Sequence, residues 1–125
     1  VPENRPLRIL VVDDHAPVRQ GLVTLLAGEA DLQVVGEATD GEQAVEAARL
    51  LAPDVVLMDV NMPGMNGIDA TRAIRGEWPA VRVIGLSAVE TAVQAEAMRQ
   101  AGAAVHLSKS VPAETLLAAI RGGGG

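Results

Sequence analysis

Three aspartates, a serine and a lysine stand where short apolar runs end. Asp13-Asp14 follow Ile9-Leu10-Val11-Val12, and Asp59 follows Val55–Met58. Ser87 follows Val81–Leu86, and Lys109 lies just beyond Val105–Leu107. If the first and third runs are neighbouring strands, the three carboxylates converge in one shallow pocket. Such a cluster is costly without a positive charge in it, because like charges at short range raise one another's pKa values. Lys109 supplies a fixed ammonium. A hard divalent cation supplies the rest, since carboxylates, a backbone carbonyl and waters are the oxygen ligands that Mg²⁺ prefers. One carboxylate in such a site can attack phosphorus. Asp59, alone at its strand end, suits that role, with Asp13 and Asp14 as a joint metal mount. The metal and Lys109 then balance charge on the transferring oxygens, and Ser87 donates a hydrogen bond to one of them. A single Asp, Ser or Lys after a strand is ordinarily a loop or cap residue. The coincidence of five groups on four strand ends carries the reading. Glu37, near the end of a further run at the outer edge, is expected to be a solvated loop residue.

These groups need a frame that brings strand ends together. Apolar runs recur at Leu7–Val12, Leu32–Gly36, Val55–Met58, Val81–Leu86 and Val105–Leu107, and continuous rather than alternating runs mark strands buried on both faces. Helical spacing fills the gaps. Pro17 suits a first turn ahead of Val18, Leu22, Leu25 and Leu26. Asp40 with Gln43 three residues on is a variant capping box before the stripe Ala44, Ala47, Ala48 and Leu51, and Pro53 stops that helix. A third helix is expected from Gly67 or Ile68 to Arg75, with Asn66 as its cap and Trp78 covering its end. A fourth covers Thr91 to Gln100 with Gly102 as C-cap, and a fifth begins after Pro112 and runs to Arg121. Five β-α repeats with right-handed crossovers require a doubly wound parallel sheet of the α/β class, whose functional place is the carboxyl edge where strand order reverses.

Composition narrows the chemistry. The 125 residues contain no cysteine, which excludes disulfides, thiolate metal sites and cysteine nucleophiles. Sixteen acidic against ten basic residues give a net charge of −6, which argues against direct nucleic-acid contact. Trp78 is the one aromatic residue, so the core is aliphatic and offers no stacked-base platform. No apolar segment is long enough for a bilayer, and Val1 to Pro6 do not read as a signal peptide, so a cytoplasmic setting is the default expectation. A start without Met and an end in four glycines read as a fragment of something longer.

The motifs together resemble the receiver domain of two-component response regulators, from Leu7 to about Arg121. The resemblance is carried by Val11-Val12-Asp13-Asp14-His15, by Leu57-Met58-Asp59-Val60-Asn61-Met62-Pro63-Gly64-Met65-Asn66-Gly67, by Ser87-Ala88 and by Leu107-Ser108-Lys109. It implies a five-stranded (βα)5 fold of strand order 2-1-3-4-5, with the receiver over residues 1–121. Residues 122–125 are then the start of a glycine linker or a cloned end. It further implies that Asp59 accepts a phosphoryl group from a sensor histidine kinase or a small donor such as acetyl phosphate. Mg²⁺, with Mn²⁺ able to substitute, is then held by Asp13, Asp14, Asp59 and the backbone carbonyl of Asn61. Lys109 pairs with the phosphoryl group, Ser87 moves to bond it, and self-catalysed hydrolysis resets the switch. Pro63 and Gly64 turn the loop so that the Asn61 carbonyl faces the metal. Gly67 lets the third helix approach that loop closely.

One position departs from the family pattern. Where an aromatic residue usually stands three places before the lysine, this chain has His106, either a surface residue of an edge strand or a switch residue coupled to Ser87. His15 is expected to be an exposed loop residue rather than a metal ligand. The arginines at 19, 49, 72, 75, 82 and 99 are expected on solvated faces. The details look most like receivers of the LuxR/NarL subgroup, which implies a C-terminal helix-turn-helix DNA-binding effector and a possible homodimer on phosphorylation. The alternatives are a stand-alone or kinase-fused receiver working by protein contact or phosphorelay, and a small phosphohydrolase using Asp59. The phosphohydrolase lacks the second carboxylate expected at position 61. A nucleotide- or flavin-binding domain is weaker still, because no glycine-rich loop follows the first strand.

Overall fold

A computed structural model describes residues 5–62, 64–88 and 91–122. Strands and helices alternate as β1 Leu7–Val12, α1 Ala16–Ala27, β2 Leu32–Ala38, α2 Gly41–Leu51, β3 Val55–Asp59, α3 Gly67–Glu77, β4 Arg82–Ser87, α4 Ala92–Ala101, β5 Val105–Ser108 and α5 Ala113–Ile120. The sheet is wholly parallel in the order β2-β1-β3-β4-β5, as the continuous apolar runs and short connections require.

Each central strand feeds two cores. On one face Leu10, Val12, Val56, Met58 and Val83 pack with Ala44 and Ala48 of α2, Ala70 and Ile74 of α3, and Met98 of α4. On the other, Ile9, Val11, Val55, Leu57, Ile84 and Leu86 meet Leu26 of α1 and Leu116 and Ile120 of α5. Burying each of these large aliphatic side chains contributes about 1.5–3 kcal/mol. The Asp40 carboxylate accepts the Gln43 N–H at 2.8 Å, while the Gln43 side chain reaches back to the Thr39 N–H at 2.9 Å. Asn66 caps α3 through the Asp69 N–H at 2.9 Å, and Thr91 caps α4 through the Gln94 N–H at 3.1 Å. The α4 helix ends on left-handed Gly102, and Trp78 occupies the C-cap position of α3 and packs against the core.

Several expectations shift. The β2 strand continues two residues past Gly36 to Ala38, because Val11 and Val12 of β1 pair with Glu37 and Ala38. Glu37 is therefore a strand residue, and its carboxylate pairs with Arg19 at 2.9 Å. The α3 helix runs to Glu77 rather than Arg75. Arginines 75 and 82 are built into the fold rather than spread on solvated faces, because Arg75 binds the carbonyl that ends α4 and Arg82 binds carbonyls at the end of α5. Arg75 donates to Gly102 O, Val81 O and Pro79 O, and Arg82 donates to Ala119 O and Ile120 O, both at 2.9 Å. Arginines 49, 72 and 99 are exposed, each paired with an acid three residues earlier. Pro63 lies outside the described residues, as do residues 123–125 of the terminal glycine run.

Candidate functional site

The carboxyl ends of β1 and β3 are adjacent, because β1 pairs directly with β3. Asp13 and Asp59 end up nearly fully buried, while Asp14 remains exposed. Carboxylate oxygens of Asp13, Asp14 and Asp59 all lie within 4.8 Å of one another. Lys109 reaches the cluster from beyond β5, its backbone N–H pinned to Ser87 O at 2.8 Å. Its Nζ lies 2.7 Å from Asp13 Oδ2 and 3.3 Å from Asp59 Oδ1. The other Asp13 oxygen accepts the His15 N–H at 2.8 Å, and Arg19 donates to the Asp13 carbonyl at 2.8 Å. His15 is exposed and makes no side-chain cap on α1.

The loop after Asp59 is folded tightly against the strand end. Asn61 N–H donates to Asp59 Oδ1 at 3.2 Å, and Gly67 N–H returns to Val60 O at 3.0 Å. Gly67 is required by contact: a Cβ there would lie 2.1 Å from the Asp59 carbonyl oxygen. The start of α3 thus rests directly on the backbone of Asp59.

Charge at this edge is unbalanced. Burial pushes the Asp59 carboxyl up to about 6, and the Asp13 charge adds to that rise. Lys109 and the Asn61 N–H offset only part of it. Burial works to lower the Lys109 pKa, but Asp13 and Asp59 outweigh it and hold the ammonium above the ordinary lysine range. Three carboxylates against one ammonium, all hard oxygen donors in one cluster, fit a hard divalent cation. At neutral pH Asp59 is an ionised carboxylate of raised basicity, suited to attack an electrophilic phosphorus.

Ser87 and His106 form the second part of the site. Ser87 is fully buried at the end of β4, and its Oγ lies 3.0 Å from His106 Nε2. His106 on β5 is opposite Gly85 on β4, and a Cβ at Gly85 would lie 2.5 Å from the imidazole Nδ1. The missing side chain makes room for the ring beside β4, so His106 is half-buried and joined to Ser87.

A cleft of about 480 Å³ opens beside the cluster, lined by Asp14, Asn61, Asn66 and Gln94 among others. The structure therefore brings Asp13, Asp14, Asp59 and Lys109 into one group, pairs Ser87 with His106, and ties Asn61 to Asp59. Gln94 belongs to the site's surroundings without having been picked out from the sequence, and Arg19, expected on a solvated face, is instead largely buried and bonded to the Asp13 carbonyl. For Gln94 a signal existed: in Thr91-Ala92-Val93-Gln94 the glutamine stands at capping-box spacing from Thr91, placing Gln94 in the first turn of a helix that starts at the carboxyl edge.

Residues 9–121 match the family described as the response regulator receiver domain. Response regulator GacA of Pseudomonas viridiflava is 44% identical over 115 residues, covering 92% of this chain and 54% of the relative. The chain thus spans about half the length of the curated relatives it matches. A two-component response regulator of the LuxR family from an Aurantimonas species superposes with a TM-score of 0.89 at 36% identity, covering 94% of this chain and 84% of that one. The structure of a CheX–CheY–BeF3–Mg²⁺ complex from Borrelia burgdorferi gives a TM-score of 0.88 at 25% identity over 97% of this chain and 91% of that one.

Proposed function

This chain belongs to the response regulator receiver family, and from that membership we propose that it is a phosphoacceptor switch with Asp59 as the acceptor. The observation that carries the reading is the bridging of Asp13 and Asp59 by Lys109 within a cluster of three carboxylates. The donor is a sensor histidine kinase. Its phosphohistidine N–P bond breaks as an O–P bond forms to an Asp59 carboxylate oxygen, and the departing imidazole nitrogen keeps the electron pair and takes a proton. Asp13, Asp14, Asp59 and the Asn61 backbone carbonyl would hold Mg²⁺, which when bound neutralises charge on the transferring phosphoryl oxygens. Lys109 turns its ammonium from the carboxylates to the new phosphoryl oxygens. Ser87 exchanges its bond to His106 for one to the phosphoryl group, so that the β4–β5 edge changes contacts. Water then attacks phosphorus, the Asp59 O–P bond breaks, and inorganic phosphate leaves with the water's oxygen.

In the whole protein the output is carried by a helix-turn-helix effector beyond this chain, with pairing of receivers on phosphorylation. The net charge of −6 supports leaving DNA contact to that effector. Among the described residues no helix is long and apolar enough to cross a membrane. Incubation with Mg²⁺ and acetyl phosphate, followed by intact mass, tests the acceptor. Gain of one acid-stable, base-labile phosphoryl group, lost in Asp59→Asn and in EDTA, is the expected result. No gain from either acetyl phosphate or a panel of phosphorylated kinases overturns it.

A further inference from the structure

Among the described residues, a side-chain hydrogen bond joins the site to α4. Gln94, in the first turn of that helix, donates from Nε2 to the Asn61 Oδ1 at 3.2 Å. Asn61 in turn donates its backbone N–H to Asp59 Oδ1. Both amide residues line the cleft beside Asp14. The backbone of Gln94 is fixed independently, because its N–H is taken by the Thr91 cap. Its side chain thus extends from an anchored turn.

The other end of the Gln94 carboxamide is informative. Its Oε1 is buried and has no hydrogen-bond partner among the described residues. A buried carbonyl without a donor is unfavourable, and native structures keep few of them. With Asn61 Oδ1 facing Gln94, turning the Gln94 amide over would set Oε1 against it, acceptor against acceptor. The carboxamide holds this orientation for the bond to Asn61.

We infer that Gln94 is a positioning residue for phosphoryl transfer at Asp59, acting through Asn61. The inference rests on Asp59 being the acceptor. By clamping the Asn61 side chain, Gln94 restricts the loop whose N–H aims the Asp59 carboxylate, and it makes that aim depend on where α4 lies. Phosphoryl transfer is governed by positioning and electrostatics, so loosening this clamp costs rate although Gln94 touches no reacting atom.

The test compares wild type with Gln94→Met, which keeps length and packing but loses the donor, with Asn61→Ala, and with the double variant. Two readouts are needed. In metal-free, unphosphorylated protein, hydrogen exchange of the Asn61 backbone N–H should quicken about three- to ten-fold in Gln94→Met, with α4 amides beyond the first turn unchanged. The rate of phosphorylation by acetyl phosphate with Mg²⁺ should fall about three- to ten-fold in each single variant, and the double variant should be no slower than Asn61→Ala alone. Unchanged exchange at Asn61, an unchanged rate, or multiplicative losses in the double variant each overturn the inference. Wild type that takes no phosphoryl group from acetyl phosphate or from a panel of phosphorylated kinases removes the acceptor reading itself, whereas a phosphorylated wild type matched by Gln94→Met removes only the role of Gln94.

Discussion

The two ends of β3 carry an aspartate each, and their surroundings are opposite. Before the strand, Asp54 accepts the Arg8 N–H at 2.8 Å and faces the Arg5 guanidinium at 3.4 Å. Around it, arginines close the C-terminal ends of helices. Arg8 donates to Leu51 O and Ala52 O, Arg75 to Gly102 O, and Arg82 to Ala119 O and Ile120 O. These carbonyls lie at the C-terminal ends of helices, at the negative end of the dipole. Ala52, whose carbonyl Arg8 binds, is left-handed at φ 47, where a residue with a Cβ is disfavoured by about 1–2 kcal/mol. At the far end Asp59 shares one ammonium with Asp13 and is pushed toward protonation. One edge is electrostatically satisfied and holds the fold together. The other carries an excess of negative charge, which leaves a place for a cation and a phosphoryl group.

This contrast separates function from stability, and substitutions should separate them too. Short of losing the acceptor itself, the largest expected effect is on rate: Lys109→Ala should slow phosphorylation by acetyl phosphate by about 100-fold or more, as loss of a preorganised charge at a transferring group does. At the opposite edge Arg82→Ala should cost about 2–3 kcal/mol of stability in urea melts, from two charge-assisted bonds. Its phosphorylation rate at a temperature where it is folded should stay within about two-fold of wild type. An Arg82→Ala domain that is stable but slow would break the division between the edges.

Asp59→Asn should do the reverse of Arg82→Ala, abolishing phosphorylation while stabilising the metal-free fold by roughly 2 kcal/mol at pH 7. The sign follows from linkage. The folded chain holds the Asp59 proton more tightly than the unfolded chain, its value of about 6 lying above the ordinary 3.8. That stabilisation is full below about pH 4 and is lost as pH rises through about 6. In EDTA the wild type should therefore lose stability across this window, and Asp59→Asn should lose much less. The smallest expected effect is that of the cation: millimolar Mg²⁺ should raise wild-type stability by about 1 kcal/mol through mass action, and Asp59→Asn should gain less. Equal gains would mean that Asp59 is not part of the metal site.

How far the chemistry was legible in the sequence depended on whether each group's place followed from local pattern. The strand-end positions of Asp13, Asp14, Asp59, Ser87 and Lys109 did, because apolar runs and turn residues determine where strands stop, and parallel crossovers bring those stops to one edge. The caps at Asp40 and Asn66 were legible for the same reason, since a cap binds a residue three places away. Glu37 was misjudged because the end of β2 depends on its pairing with β1. Arg75 and Arg82 were misjudged because Gly102 O, Ala119 O and Ile120 O lie far along the chain from them and only packing brings those helix ends within reach.

The sequence by itself determined the order of elements, the two-faced aliphatic core and the set of groups at the carboxyl edge, all consequences of periodicity and of short-range hydrogen bonding. Only the tertiary structure decided that His106 turns toward Ser87, in the space left by Gly85 across the β4–β5 register. Only it showed that Lys109 bridges Asp13 and Asp59, and that Gln94 reaches Asn61 over an interval of 33 residues. Such contacts depend on strand register and on how each helix docks, and both are settled by packing of the whole core rather than by neighbouring residues along the chain.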